Sequence, residues 1–340
     1  MKCAKLVGPK QFEIGEINEP SPVTGKVMID VTKTGICGSD LHYFEIGQPS
    51  GLVMGHEFCG RVIYNGGRKD LNVGDRVTAL PISPCGECDA CLSGNPQYCL
   101  HTWDKAIGLS IDNPGGLTSK INVRDDLVLK VPDSVSDEEA AMVEPTAVGL
   151  HAIHLADIKV GEKVLVVGSG IIGLTSAMFA KMEGASKVIV SEVNEARAKK
   201  AVELGVADGY ILASDNFVQD VNNIVPGGFD VVVECCGNSP AVSSALMAVK
   251  PGGRIILVGV SMAPIPIPSI VAVTHEITMM GAIAYTKNEF KTCLDLMAEK
   301  KIDVLKFLSK TVGLEETQAS YDELLSGKSD SIKIIVDPKK

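Results

Sequence analysis

The stretch KVLVVGSGIIG, Lys163 to Gly173, constrains this chain more than any other: an apolar β-branched run is followed by three glycines spaced as GxGxxG and then by a helical pattern. A bare GxGxxG means little, but a strand before it and a helix after it give it a physical role. Gly168 permits the tight turn, Gly170 lets backbone approach a pyrophosphate, and Gly173 lets the helix pack on the sheet. The helix N-terminus, with Ile171 and Ile172 in its first turn, then faces the phosphates. The expectation is a dinucleotide site, weighed against a merely tight strand-to-helix turn.

Beyond Gly173 the strand and helix alternation repeats: KVIVSE, a helix through RAKKAVELG, then short apolar runs at GYIL, FDVVVE, GRIILVG and EITMMGA. About six strands of a parallel sheet with covering helices make a doubly wound domain. Glu192 ends the second of these strands nineteen residues beyond Gly173, the spacing of a carboxylate that bonds ribose hydroxyls. It would repel a 2′-phosphate, so the chain is expected to prefer NAD over NADP, with Arg197 one helical turn on working against that preference. The bland alternative for Glu192 is a solvated strand end.

At 340 residues the soft prior of about 150 residues per domain suggests two domains. The pattern changes near residue 145 and again near 285. Before the first change, β-branched runs such as KVMIDVTKTG and GDRVTALPI alternate with Gly and Pro turns, as antiparallel strands of a small barrel do. After Tyr285 come two amphipathic segments, NEFKTCLDLMAEKK and EETQASYDELLSG, and a last strand, IKIIVD. That strand is expected to return to the first domain, giving an all-β-cored domain of 1–145 with 286–340 and a doubly wound domain of 146–285. Prolines at every second position from Ala263 to Ser269 deny one side of a strand its donors, so that segment should be an edge or a loop.

Four of the ten cysteines, Cys85, Cys88, Cys91 and Cys99, crowd into fifteen residues. In a chain with too few cysteines for a disulfide scaffold, this spacing points to a metal with soft tetrahedral ligands, naturally zinc. Sulfur fills all four positions, so such a metal is structural. Free surface cysteines or a nucleic-acid zinc module are the alternatives. A formal charge of -10 speaks against nucleic acid and anionic membranes as partners. The N-terminus lacks an apolar h-region, and no window reaches the roughly 20 apolar residues of a membrane span. A cytoplasmic protein is expected.

A second constellation is scattered: Cys37 in GICGSDLH, His56 and Glu57 in GHEFCG, Glu144 in VEP. Singly, these read as a buried apolar cysteine, a core histidine and a solvated carboxylate. Beside a dinucleotide fold and a structural zinc lobe, they supply the mixed sulfur, nitrogen and oxygen set of a catalytic zinc with an open position. No HExxH helix supports a metalloprotease.

The motifs GICGSDLHYF, GHEFCG, GDRV before the cysteine lobe, VEPTAVGLHA, GSGIIG and DVVVECCG together resemble the medium-chain, zinc-containing alcohol dehydrogenases along the whole chain. Within that family the chain is most similar to the sorbitol and polyol dehydrogenase branch, with threonine and butanediol dehydrogenases close by. The resemblance implies a GroES-like β-barrel catalytic domain and a Rossmann domain, with the active site in the cleft between them, and a homodimer or homotetramer. It implies two zinc ions per subunit and NAD. Cys37 and His56 match the catalytic zinc ligands, Glu57 the ligand or near-ligand that follows, and Glu144 the carboxylate that ligates zinc or holds its water. Ser39 and His42 match a hydroxyl and imidazole proton relay, and Tyr43, Phe44 and Glu144 are expected to help line the substrate pocket.

Two features depart from the family pattern. His56 follows Cys37 by only nineteen positions, so the segment FEIGQPSGLV is expected to shape the pocket, and GGLTSK replaces a more familiar motif. The implied reaction is oxidation of a secondary alcohol of a polyol-like or sugar-derived substrate to a ketone, the zinc acting as Lewis acid on the alcohol oxygen. Its rivals are a zinc-free quinone or enone reductase that uses NADPH, and a regulatory relative that keeps the fold without turnover.

Overall fold

The strands richest in valine and isoleucine are buried on both faces, as strands covered by helices on either side must be. In a computed structural model that describes residues 1–340, they lie in a compact unit of Thr146–Ala284. Its six-stranded sheet has the spatial order Gly209–Leu212, Lys187–Glu192, Lys163–Val167, Phe229–Glu234, Val249–Leu257, Thr278–Gly281, and every pairing is parallel. Val164, Leu165, Val166, Val231, Val232 and Val233 have no solvent exposure. The order runs outward from Lys163–Val167 on one side and from Phe229–Glu234 on the other. The glycine-rich loop therefore leaves the carboxyl end of a strand at the topological switch point, where open α/β sheets bind ligands.

The proline-alternating stretch forms no strand. It leads into a short helix, Ser269–Thr274, which sequence patterning does not foresee, and then into the edge strand Thr278–Gly281.

The other unit comprises Met1–Pro145 and Tyr285–Lys340, so Tyr285 falls with it. Its larger sheet has seven strands: Leu308–Gly313, Lys333–Asp337, Lys26–Gly35, Glu57–Tyr64, Arg76–Ala79 and Val128–Lys130 in spatial order, with Lys120–Arg124 also paired to Lys26–Gly35. The C-terminal strand lies antiparallel to Lys26–Gly35, bringing Ile335 opposite Gly35.

The core of this unit is not β throughout. Gly38–Ile46 is a helix that starts directly after the extended Cys37 and stops at Gly47, whose φ of 72° is left-handed. Asp40 ties down its first turn by accepting the Cys37 N–H at 3.1 Å, the bond by which the third residue of a capping box reaches back to the cap. The helix absorbs the beginning of FEIGQPSGLV and decides the fate of Phe44. That ring is fully buried, 5.2 Å by centroid from both Phe12 and Tyr321, so Phe44 is a core residue and not the pocket lining expected of it. No helix is long and apolar enough to cross a membrane.

Candidate metal and dinucleotide sites

The helix start at Cys37 and the strand start at Glu57 bring three donors together. The Sγ of Cys37, a ring nitrogen of His56 and a carboxylate oxygen of Glu57 lie within 4.8 Å of one another. Cys37 is half-buried, whereas His56 and Glu57 are buried. Glu57 Oε1 is buried without a hydrogen-bond partner, which in a folded interior costs free energy unless a cation or donor comes to it. The chemistry of this set fits a zinc ion with a position left for another ligand. Glu144 lies outside the trio. Its Oε1 accepts the Tyr285 hydroxyl at 2.8 Å in a buried hydrogen bond.

Around the trio stand residues that motif reading passes over. Oδ1 of the fully buried Asp40 is 3.2 Å from His56 Nδ1, in ion-pair range but not aligned as a hydrogen bond. A carboxylate behind a ligating histidine fixes the ring and raises its basicity. Lys333, with no solvent exposure, donates to the Ile36 carbonyl at 2.8 Å and to Glu57 Oε2. Gly35 makes that approach possible: a Cβ there would come within 2.0 Å of Glu57 Oε2 and 2.8 Å of the Lys333 Cε. The sequence signals are a single lysine inside the apolar run IKIIVD and an aspartate three residues after Cys37.

The electrostatics of the pocket reflect burial and crowding. Desolvation pushes the Glu144 carboxyl up to about 7; Glu57 adds to the rise, while His56, the Tyr285 hydroxyl and Lys333 oppose it. Burial alone would pull the His56 imidazole down, but Asp40 and Cys37 outweigh it and hold it well above the usual value.

Ser39 and His42 are half-buried on the helix Gly38–Ile46. Three residues apart, they share a helix face. Ser39 donates its hydroxyl to Cys37 Sγ at 3.2 Å, so the hydroxyl sits at the edge of the donor trio.

The second cluster is local. The four sulfurs of Cys85, Cys88, Cys91 and Cys99 lie within 4.8 Å of one another. Cys91 is 3.9 Å from Cys85 and 3.6 Å from Cys88. A tetrahedron with metal-to-sulfur bonds of about 2.3 Å has sulfur-to-sulfur edges of about 3.8 Å, so these spacings fit zinc. Backbone N–H groups of Cys85 and His101 donate to Cys99, that of Gly86 to Cys91, and that of Cys88 to Cys85, all at 3.3 to 3.4 Å. The donors bring the Cys99 thiol down to about 6, whereas desolvation, together with the other three cysteines, pushes Cys91 up to about 12. Four cysteine sulfurs at these spacings suit a soft tetrahedral cation.

The glycine-rich loop has the shape of a phosphate cradle. Gly168 has φ 97°; a Cβ on Gly173 would lie 1.9 Å from the Gly168 carbonyl oxygen, while one on Gly170 would meet nothing within 4 Å. The open face at Gly170 adjoins the first turn of the helix Ile171–Met182, where Ile171 is buried and Ile172 half-buried. Glu192 is bonded to this loop through Ser169. Arg197, half-buried in the helix Glu195–Glu203, donates its backbone N–H to the Asn194 cap.

Known proteins match these parts. A family profile described as "Alcohol dehydrogenase GroES-like domain" matches residues 23–133, and one described as "Zinc-binding dehydrogenase" matches residues 172–299. The chain is 31% identical to a sorbitol dehydrogenase of Bacillus subtilis over 100% of its own length and 98% of the relative's. It is 32% identical to a D-xylulose reductase of Scheffersomyces stipitis, covering 96% and 94%. Among solved structures, a 2R,3R-butanediol dehydrogenase from Bacillus subtilis aligns with a TM-score of 0.87 at 31% identity, covering 99% of each chain.

Proposed function

Because the chain belongs to the zinc-binding, GroES-like alcohol dehydrogenase family, and so is a zinc- and nicotinamide-dependent oxidoreductase of alcohols, we propose that it oxidises a secondary alcohol of a polyol or sugar-derived substrate to a ketone. The observation that carries this reading is the Cys37, His56 and Glu57 trio, with a buried, unpartnered Glu57 oxygen and the Ser39 hydroxyl at its edge. In the proposed assignment these three residues hold the catalytic zinc, and Glu144, held by Tyr285, orients water or substrate next to it. Cys85, Cys88, Cys91 and Cys99 hold a second, structural zinc. Gly168, Gly170, Ile171, Ile172 and Gly173 receive the dinucleotide, with Glu192 and Arg197 at its adenosine end. The negative charge of Glu192 favours NAD over NADP.

Bound zinc would supply Lewis acidity at the alcohol oxygen, and the nicotinamide would take the hydride. The chain's own residues have other tasks. Ser39 Oγ, turned from Cys37 Sγ, accepts the substrate hydroxyl proton and passes it towards His42 and solvent. Asp40 keeps the His56 ring oriented, and Lys333 holds Glu57 by one oxygen so that the other faces the metal position. Relatives acting on sorbitol, xylulose and butanediol support the substrate class.

A homodimer or homotetramer is part of the reading. Thr278–Gly281 ends its sheet with an open edge, and Met262, Ile270 and Val273 nearby in the chain are about 70% exposed. An unpaired edge beside exposed apolar side chains is covered in most proteins, here by a second copy; light scattering tests it.

The decisive experiment is an NAD-reduction screen on zinc-replete protein over polyols, sugar acids, sugar-alcohol phosphates, butanediol and threonine. NADH formed with a polyol or sugar-derived alcohol, and abolished by a chelator, is the expected result. Turnover of butanediol or threonine alone would move the chain to those branches. Chelator-resistant activity with NADPH would overturn the zinc mechanism.

A further inference from the structure

Packing explains the ring of Tyr321 but not its hydroxyl. The residue lies on the helix Thr317–Leu325, in the segment EETQASYDELLSG, and has no solvent exposure. Its ring stands edge-on to Phe12 with centroids 4.7 Å apart and lies 5.2 Å from Phe44, contacts that a phenylalanine would make as well. A buried phenol oxygen costs free energy unless it is hydrogen-bonded. It donates to Asp40 Oδ2 at 3.4 Å, across 281 positions of chain. That is long for a hydroxyl bond, and the acceptor is shared: the Cys37 N–H reaches the same oxygen at 3.1 Å. Burial, and next the Asp40 charge, hold the phenol well above its ordinary value, so it keeps the proton it donates.

The two donors divide the Asp40 carboxylate. Oδ2 is held by both, while Oδ1, which has no hydrogen bond, lies 3.2 Å from His56 Nδ1. Glu57 is divided in the same way, with Oε2 held by Lys333 and Oε1 left without a partner. In each case a side chain from the C-terminal segment takes one oxygen and leaves the other unbonded. A carboxylate at Nδ1 sets the tautomer of an imidazole and so leaves Nε2 for a metal. The base from which Tyr321 works is itself tied down. Gln318, on the same helix, accepts the Phe12 N–H at 2.8 Å and donates to the Lys10 carbonyl at 3.1 Å.

We propose that Tyr321 is a positioning residue for the metal site: its hydroxyl holds Asp40 Oδ2, which fixes where Oδ1 stands and so how the His56 ring is set. The proposal rests on the reading of Cys37, His56 and Glu57 as ligands of a reactive zinc. It separates two consequences of losing the hydroxyl. A group that only stabilises the fold would, when removed, lower the unfolding temperature and leave the metal alone. A positioning group, when removed, changes the affinity and the ligand field of the metal that the trio holds, even where the fold is as stable as before.

The test uses the full-length protein with its lobe zinc in place, as wild type and as Tyr321→Phe, which keeps the ring and removes only the hydroxyl. Zinc binding at the trio is measured by competition with a chelating dye, and cobalt(II) bound there is followed by visible absorption. Tyr321→Phe is expected to weaken zinc at the trio about tenfold, the lower end of what partners behind a ligating histidine contribute, because the hydroxyl acts at one remove. The cobalt bands should shift in position or intensity. Unchanged zinc affinity or an unchanged cobalt spectrum overturns the proposal, whatever happens to the unfolding temperature. Should Tyr321→Phe fail to fold, by far-UV circular dichroism, Gln318→Ala, which loosens the helix that carries the hydroxyl, decides: weaker zinc with a shifted cobalt spectrum supports the proposal, and wild-type values overturn it. Failure of wild type to take a metal at the trio would instead remove the metal reading. The His56 ring nitrogens, followed by NMR in wild type and Tyr321→Phe, would then decide: a changed tautomer or chemical shift supports the positioning role, and identical signals overturn it.

Discussion

In the four-cysteine lobe every ligand atom comes from fifteen consecutive residues, and backbone N–H groups from that stretch and from His101 just beyond it point at the sulfurs. In the Cys37, His56 and Glu57 cluster the donors come from two segments, and the groups around them come from the length of the chain, with Lys333 276 residues beyond Glu57. The lobe draws its ligands and their backbone donors from one short stretch, and in the proposed assignment sulfur fills all four positions of its metal. The other cluster is largely buried, mixes a thiol, an imidazole and three carboxyl groups with a lysine, and leaves Glu57 Oε1 without a partner. A closed set of identical ligands suits a metal that holds the chain together; an unsaturated mixed set, stiffened from behind by other side chains, suits one that meets a substrate.

This contrast breaks most readily at Cys37. Cys37→Ser is expected to abolish alcohol oxidation while the circular dichroism spectrum and NADH titration stay at wild-type values; appreciable turnover would show that the trio is not the reactive centre.

Lys333→Met should come next in effect. It leaves the Glu57 carboxylate buried and uncompensated, a change that costs about 3 to 5 kcal/mol in buried pairs, read from denaturant unfolding. Adding Glu57→Gln should recover part of the loss, since a buried pair removed together costs less than either half removed alone. A single variant as stable as wild type would mean that Lys333 does not compensate Glu57.

Cys91→Ser sharpens the other side of the comparison. Protease cleavage between residues 85 and 99 should rise and lobe zinc should be lost, with alcohol oxidation persisting at a reduced rate. Loss of turnover as complete as in Cys37→Ser would erase the distinction between the clusters.

The smallest effect concerns pH in protein stripped of metal at the trio. The folded Glu144 carboxyl titrates near 7 against an ordinary value of 4.5, so the folded state keeps a proton that the unfolded chain gives up, and stability falls as pH rises across that interval. His56, held above its ordinary 6.5, contributes stability that is full below that value and is lost as pH rises through its folded pKa. Both act in one direction. Protein that keeps the lobe zinc but lacks a metal at the trio should therefore unfold at a lower temperature at about pH 8 than at about pH 6, and zinc at the trio should remove the difference, because a ligating imidazole is neutral; the lobe must stay loaded because a metal-free Cys99, held near 6, acts in the opposite direction. Higher stability of that protein at the upper pH would contradict this.

How far residues can be read from sequence depends on how local their interactions are. GSGIIG announces its own turn because each glycine answers a steric demand within six positions, and the parallel strands announce themselves by β-branched runs. The cysteine lobe is equally local. Lys333 escapes sequence reading because a lysine in a C-terminal strand is ordinarily solvated; only the pairing of that strand beside Gly35 buries it. Tyr285 reads as a boundary residue, yet its hydroxyl reaches a carboxylate 141 residues earlier. Phe44 reads as pocket lining in the motif that carries Cys37 and Ser39. It lies in the core because the helix Gly38–Ile46 turns it towards Phe12 and Tyr321. The bonds from Ser169 to Glu192 are hidden for a related reason: spacing predicts where a carboxylate falls but not which donors reach it.

The most direct test is elemental analysis of purified protein for zinc per chain, in wild type, Cys37→Ser and Cys91→Ser. Two ions in wild type, with one remaining in each variant, is the predicted result. A single ion in wild type, or two retained in Cys37→Ser, would contradict the division into a closed cage and an open, reactive metal site.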